Sequence, residues 1–256
     1  MERIEIQFEG EGVRDHLVSA TGAGDALGGI CTAIYRAAFL VENETARFKG
    51  PYSENVKILV GAPERGSVLF PIFVNVVGSV AAAAVIGAAQ YLFTEAVGRR
   101  GNISKSPLDK IAPGTVASSV ESVESPIKKA HNVIYHGDVN ININFNNQGI
   151  IQFNNESASY LKETTLVEEP QQSVMVVSSM SANDRSGRVF NNELGRNVTF
   201  KLAKEISQNS VDLLMSSFRR YFSNFGGADV LVHYYKYVSV DGKVKKITIF
   251  QASEIV

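Results

Sequence analysis

Between Gly66 and Thr94 the chain runs 29 residues without a charge. A membrane-spanning helix needs ~20 largely apolar residues, and residues 74–93 have that length. Tyr91 near one end and Arg99-Arg100 beyond it supply an aromatic anchor and a positive flank. Composition points instead to burial within protein. The run is rich in Ala, Gly and Ser, which gain little on transfer to lipid, and Pro71, Asn75 and Gln90 oppose that transfer. Its first half also reads as strand. Residues 56–60 and 68–77 are β-branched and aromatic, and Ala62-Pro63-Glu64-Arg65-Gly66-Ser67 between them is turn chemistry. Pairing the two runs as a hairpin leaves a helix from Gly78 to Gly98, with Gly98 as C-cap and the arginines at the negative end of the dipole. A helix that is apolar all round is buried. Small residues at Ala81, Ala84, Gly87 and Ala88 suit close packing against a sheet or against a second copy of the chain.

At 256 residues the chain is long enough for two domains. Its formal charge is −1, so no global field recruits nucleic acid or acidic lipid. Residues 173–256 carry 11 Lys and Arg against 7 Asp and Glu, a net +4, which leaves −5 for residues 1–172. Cys31 is the only cysteine, so neither a disulfide framework nor a thiolate zinc site is expected. His16, His131, His136 and His233 are scattered without ligand spacing, and no metal or cofactor is expected. The N-terminal MERIEIQFEG is charged and alternating, a strand and not a signal peptide. The expected location is therefore the cytoplasm.

Ile4, Ile6 and Phe8 alternate with polar residues as a first strand. Residues 25–41 have a helical apolar face of Leu27, Ile30, Ile34, Ala37, Ala38 and Val41. Strand, helix, hairpin and Ala/Gly-rich helix make an α/β domain over residues 1–98. Residues 99–131, rich in Ser, Pro and Gly, read as a linker. Within 132–168, Ile141, Ile143 and Phe145 face one way and Asn140, Asn142, Asn144 and Asn146 the other. Asn147-Gln148-Gly149 turns that strand back into a hairpin. Its asparagine row suits strand addition between subunits. The plainer reading is a surface hairpin of one chain.

From residue 173 the pattern is regular. Strands are expected at 174–182, 188–190 and 197–202. A helix follows at 207–222, with Val211, Leu214, Met215, Phe218 and Phe222 on its core face and Asn209 or Ser210 as cap. The hairpin 230–240 and 244–250, turned by Asp241-Gly242, completes the set. Three strands, a helix and two strands is the order of a five-stranded OB-like barrel. The fold class expected is α+β: an α/β unit followed by that barrel.

Thr21-Gly22-Ala23-Gly24-Asp25-Ala26, followed by Gly28-Gly29, resembles the TGAGDA signature of the ribokinase-like sugar kinases. The resemblance implies Asp25 as a base and Gly22 and Gly24 as an anion hole. It covers nine residues, only twenty precede it, and nothing else supplies a nucleotide pocket. A tight turn and a helix start use the same letters, so no catalytic residue is assigned. The barrel offers a second candidate. His233, Tyr235 and Tyr237 share one strand face, and Lys236, Lys243, Lys245, Lys246, Arg219 and Arg220 add positive charge. OB barrels hold single strands by stacking bases on aromatics beside such charge, at ~1–3 kcal/mol per base. Equally, tyrosines favour strands and lysines guard sheet edges.

The layout as a whole resembles bacterial proteins of unknown function, a resemblance that implies no activity. The expectation is a non-enzymatic binding or assembly module that self-associates as a homo-oligomer or joins a protein partner. A membrane-inserted protein or effector using residues 74–93 is one alternative. A binder of single-stranded nucleic acid through the barrel is the other.

Overall fold

Ile4, Ile6 and Phe8 of β1 (Glu2–Glu9) are buried and their neighbours are not, the alternation of a strand covered on one face. The computed structural model describes residues 1–13, 17–50, 53–63, 68–78, 80–98, 108–145, 149–223 and 226–255. The turn at Glu64-Arg65, His16, Arg99-Arg100 and the turn at Asn147-Gln148 lie outside them. The chain divides into two units, Met1–Lys162 and Glu163–Val256.

In the first unit β1 lies at the centre of an antiparallel sheet ordered β2-β3-β1-β4-β5, where β2 is Val56–Val60, β3 Leu69–Val76, β4 Asn140–Asn144 and β5 Ile150–Phe153. Helices α1 (Ala20–Asn43), α2 (Ala82–Ala96), α3 (Pro113–Ala130), α4 (Asn132–Gly137) and α5 (Asn155–Lys162) complete it. Helix α2 touches β1, β3 and β5 of the sheet and also α1 and α3. Every residue from Ala88 to Thr94 is buried, and Phe93 meets Phe145 edge to face at 5.7 Å. A helical segment with protein on all sides has no place for a charge, which accounts for its lack over residues 88–94; Glu95, the next residue, is exposed.

Residues 74–93 do not form one helix. They divide between β3 and the 15-residue α2, which spans only about 22 Å at 1.5 Å per residue. Among the described residues, α1 is the one helix long and apolar enough to cross a membrane, with mean hydropathy 1.2 and 44% of that window buried. The core helix of a protein in water passes the same test.

The segment expected as a linker is, from Pro113, helix α3. Proline occupies its first turn, where a missing N–H costs nothing. Ser119 and Ser122 can be buried because their hydroxyls bond within the helix: Ser119 Oγ to the Thr115 carbonyl at 2.9 Å and Ser122 Oγ to the Ser119 carbonyl at 2.7 Å. The Asn-rich hairpin is not a separate segment either. Strand β4 pairs with β1 on one side and β5 on the other, so its backbone offers no free edge. Asn142 and Asn144 donate to Glu9 and Glu5 of β1 at 2.7 and 3.3 Å.

The second unit is a closed barrel ordered β10-β8-β7-β6-β9. Its strands are β6 (Thr165–Ser181), β7 (Ser186–Asn191), β8 (Arg196–Leu202), β9 (Asp229–Val238) and β10 (Val244–Ser253), with α6 (Gln208–Phe222) between the third and fourth. β8 and β10 run parallel and all other pairs are antiparallel, the OB-like arrangement expected. β6 begins well before residue 174 and is long enough to pair with the whole of β9, with a register shift between Val167 and Gln171.

Helix α6 buries only part of the face that periodicity assigns to it: Leu214 is buried and Val211 and Phe218 are half-buried against the barrel core. Its buried residues are Ser210, Leu214 and Ser217, whereas Met215 is 47% and Phe222 81% exposed. The serines are small enough to seat the helix on the strands, and their hydroxyls satisfy strand backbone. Ser210 Oγ takes the Ala252 N–H at 3.1 Å and donates to the Ala252 carbonyl at 3.2 Å. Ser217 Oγ takes the Val177 N–H at 3.0 Å and donates to Ala228 at 2.5 Å. The cap is Ser207, which accepts from Ser210 N at 3.3 Å, and not Asn209 or Ser210.

Candidate functional site

Helix α1 starts at Ala20, capped by Ser19, so Thr21–Ala26 is helix and not a turn. The Ser19 side chain takes the Gly22 amide, and Gly24 lies inside the hydrogen-bonded ladder. These amides do not converge into an anion hole. Gly22 is small because Val133 of α4 lies against it: a Cβ there would stand 2.7 Å from Val133 Cγ2. At Gly29 a Cβ would stand 2.3 Å from the Pro126 carbonyl oxygen of α3. Asp25 accepts from Asn132 Nδ2 at 3.0 Å and pairs with Lys129 Nζ at 3.3 Å. The Asn132 hydrogen bond, aided by Lys129, holds its carboxyl below the usual range against a smaller opposing effect of burial. A carboxylate so stabilised is a weaker base, and its partners make it a tie between α1, α3 and α4. A cavity of about 440 Å³ adjoins it, lined in part by Gly12, Ser19, Thr21 and Asn132.

The α/β unit holds a second arrangement with the look of chemistry. His131 Nδ1 lies 2.8 Å from the Ile127 carbonyl and Nε2 2.9 Å from Ser157 Oγ. A carbonyl only accepts, so Nδ1 carries the proton and Nε2 faces the serine hydroxyl, which also lies 2.9 Å from the Asn154 carbonyl as a donor. That is the reach of a base and a nucleophile. Both are sealed from solvent, and the imidazole stacks on Phe153 at 4.5 Å between centroids. Burial pushes the imidazole pKa down to about 4, against a smaller upward pull from the Ile127 carbonyl. The pair is a structural clasp. Burial likewise raises the Cys31 thiol to about 11, which leaves it unreactive at neutral pH. Among the described residues, no three His, Cys, Asp or Glu side chains gather as metal ligands do.

The barrel brings part of the aromatic and basic set together. By strand alternation His233, Tyr235 and Tyr237 share one face of β9, all half-buried. Phe250 of β10 joins them, 6.2 Å from His233 and 4.9 Å from Tyr235 between centroids. Lys246, paired opposite Tyr237, sets its ammonium 4.3 Å from the centre of that ring. Lys245 falls within a register shift between Val244 and Lys246, and Lys243 within the β9–β10 turn. Lys236 alternates to the other face, opposite Ile247.

Arg219 and Arg220 are not part of this face. Arg220 Nη1 is held by the Gly227 carbonyl at 3.0 Å, ten residues and roughly 30 Å of strand away from Tyr237. Phe250 escapes a sequence reading because two register shifts separate it from a simple count across the hairpin.

The residues expected for self-association separate in the same way. Ala88 is fully buried, Ala84 and Gly87 are half-buried, and Ala81 alone is exposed. Comparison of this chain with protein-family models, with curated proteins and with solved structures finds no match.

Proposed function

We propose that the chain is a non-enzymatic binding module that holds single-stranded nucleic acid on the outer face of β9 and β10. The observation that supports this reading is the row His233, Tyr235 and Tyr237, extended by Phe250 and bordered by Lys246. Fold analogy alone carries no ligand; the aromatic row does. Alternate residues of a strand advance about 6.6 Å, a step that the bases of an extended single strand can follow. At ~1–3 kcal/mol per stacked base, a few rings outweigh the modest local charge. A base arriving on Tyr237 displaces the Lys246 ammonium toward a phosphate. With about three lysines in reach, the salt slope is shallow, on the order of −2.

A labelled oligothymidylate titrated at low salt tests the proposal by fluorescence anisotropy. Replacing Tyr235 and Tyr237 together by Ala is expected to weaken binding about tenfold or more. An unchanged anisotropy over the whole titration removes the reading.

Self-association is a second reading, and one observation favours it. At the sheet edge, β2 leaves Leu59 55% and Val60 48% exposed, on a strand without Pro. The Tyr35 hydroxyl takes the Ile58 N–H at 3.3 Å, so contact there runs through side chains. Light scattering that reports a dimer lost on Leu59→Lys supports this surface, and a monomer at all concentrations rejects it.

A further inference from the structure

Helix α6 and the turn between β6 and β7 border a groove of about 680 Å³ within the barrel unit. Its apolar lining is Met180, Leu202, Val211, Met215, Phe218 and Phe222. Met215 and Phe222 stand open because Ser210, Leu214 and Ser217 seat the helix, while Val211 and Phe218 are half-buried against the barrel core. Among the described lining residues two are charged, Arg185 and Arg219, and both are cations. Arg185 reaches the Ala203 carbonyl at 3.4 Å, just ahead of α6, whereas Arg219 lies in the last turn of the helix. From Gln208 to Arg219 the helix advances roughly 16 Å, or three turns. Arg185 also has φ +48°, a left-handed conformation that glycine adopts more easily. The nearby carboxylates of Asp184 and Asp212 accept hydrogen bonds from Ser181 and Gln208 at 3.3 and 2.9 Å.

We infer that this groove docks an acidic amphipathic helix of a partner protein. A three-turn helix lays apolar residues at i, i+4 and i+7 along the α6 stripe, and carboxylates flanking them meet Arg185 and Arg219. Met180 and Met215 adapt to anchors of different shape. A cation at each end matches a ligand charged at both ends, which a single acyl chain with one head group is not. The surface is separate from the aromatic row, so the inference stands apart from nucleic-acid binding.

The test is fluorescence anisotropy of the full chain with a labelled synthetic helix, leucines at i, i+4 and i+7 and glutamates at both ends. Saturable binding is expected. It weakens about tenfold or more when lysines replace the glutamates or when the protein carries Phe222→Ser. Arg185→Glu with Arg219→Glu reverses the preference between the acidic and basic peptides. The variant with Tyr235→Ala and Tyr237→Ala binds the peptide unchanged. Equal affinity for both peptides overturns the proposal, as does binding indifferent to Phe222→Ser, or no binding at all. Saturation of the groove by laurate in place of the peptide assigns it to an acyl chain and overturns it too. So does a concentration-dependent dimer lost on Phe222→Ser, which assigns the groove to a second copy.

Discussion

Helices α1 and α6 both dock through small residues, and they do so for opposite reasons. On α1, Ala26, Gly29, Ala33 and Ala37 are buried, and at Gly29 the backbone of α3 comes so close that a methyl group has no room. The neighbour is another helix, and at Gly29 the contact asks only for absence of bulk; the Ser122 carbonyl, which Pro126 leaves without its helical partner, accepts from Arg36 of α1. On α6, Ser210 and Ser217 are small and polar because the neighbour is strand backbone with groups still to satisfy at Ala252, Val177 and Ala228. One helix loses its side chains to gain proximity. The other keeps hydroxyls, and Met215 and Phe222 of its apolar stripe are left at the surface.

Gly29→Val is the severest way to break the first contact. The added carbon stands against the Pro126 carbonyl and the Ala130 amide, both backbone, so α1 and α3 must part. A loss of about 3 kcal/mol is expected in urea unfolding of the α/β unit. An unchanged midpoint would mean that the two helices are not in close contact.

The His131 clasp, which ties the end of α3 to α5, gives a pH-dependent effect of similar size. Its folded pKa of about 4 lies below the unfolded 6.5, so the unfolded state binds the extra proton between those values. The stabilisation is complete above pH 6.5 and declines as pH falls toward 4, by about 3 kcal/mol in all. Denaturant midpoints across that window measure it, and His131→Gln should flatten the decline. Asp25, whose carboxyl is lowered, acts in a separate window: its contribution is present above about pH 3.9 and lost below it.

Ser217→Ala breaks the α6 contact by leaving the Val177 N–H and the Ala228 carbonyl without their partner. About 2 kcal/mol is expected to be lost. Phe222→Ser, on the exposed stripe, is expected to shift stability by no more than about 0.5 kcal/mol. Equal losses from the two would show that α6 buries Phe222 after all.

Much of the fold is legible in the residues. The alternation at Ile4, Ile6 and Phe8, the hairpin of β2 and β3, the buried α2 and the barrel's strand order all follow from period and turn chemistry. Helix α3 is not legible, because buried serines bonded to their own helix resemble a loop when only composition is read. The candidate site was half visible. His233, Tyr235, Tyr237 and Lys246 meet as alternation implies, Phe250 arrives through shifts in register, and Arg219 and Arg220 lie at the far end of β9.

What the sequence determined by itself is where strands and helices run and that the Ala/Gly-rich segment needs protein around it. Both depend on neighbours a few residues apart and on a lack of charge. Only the tertiary structure decided which face of α6 is buried, that β4 has no free edge, and that Gly22 and Gly29 serve contact between helices and not an anion. Each of those turns on what lies opposite a small or polar residue. A serine or glycine states how much room it leaves and never which backbone fills it.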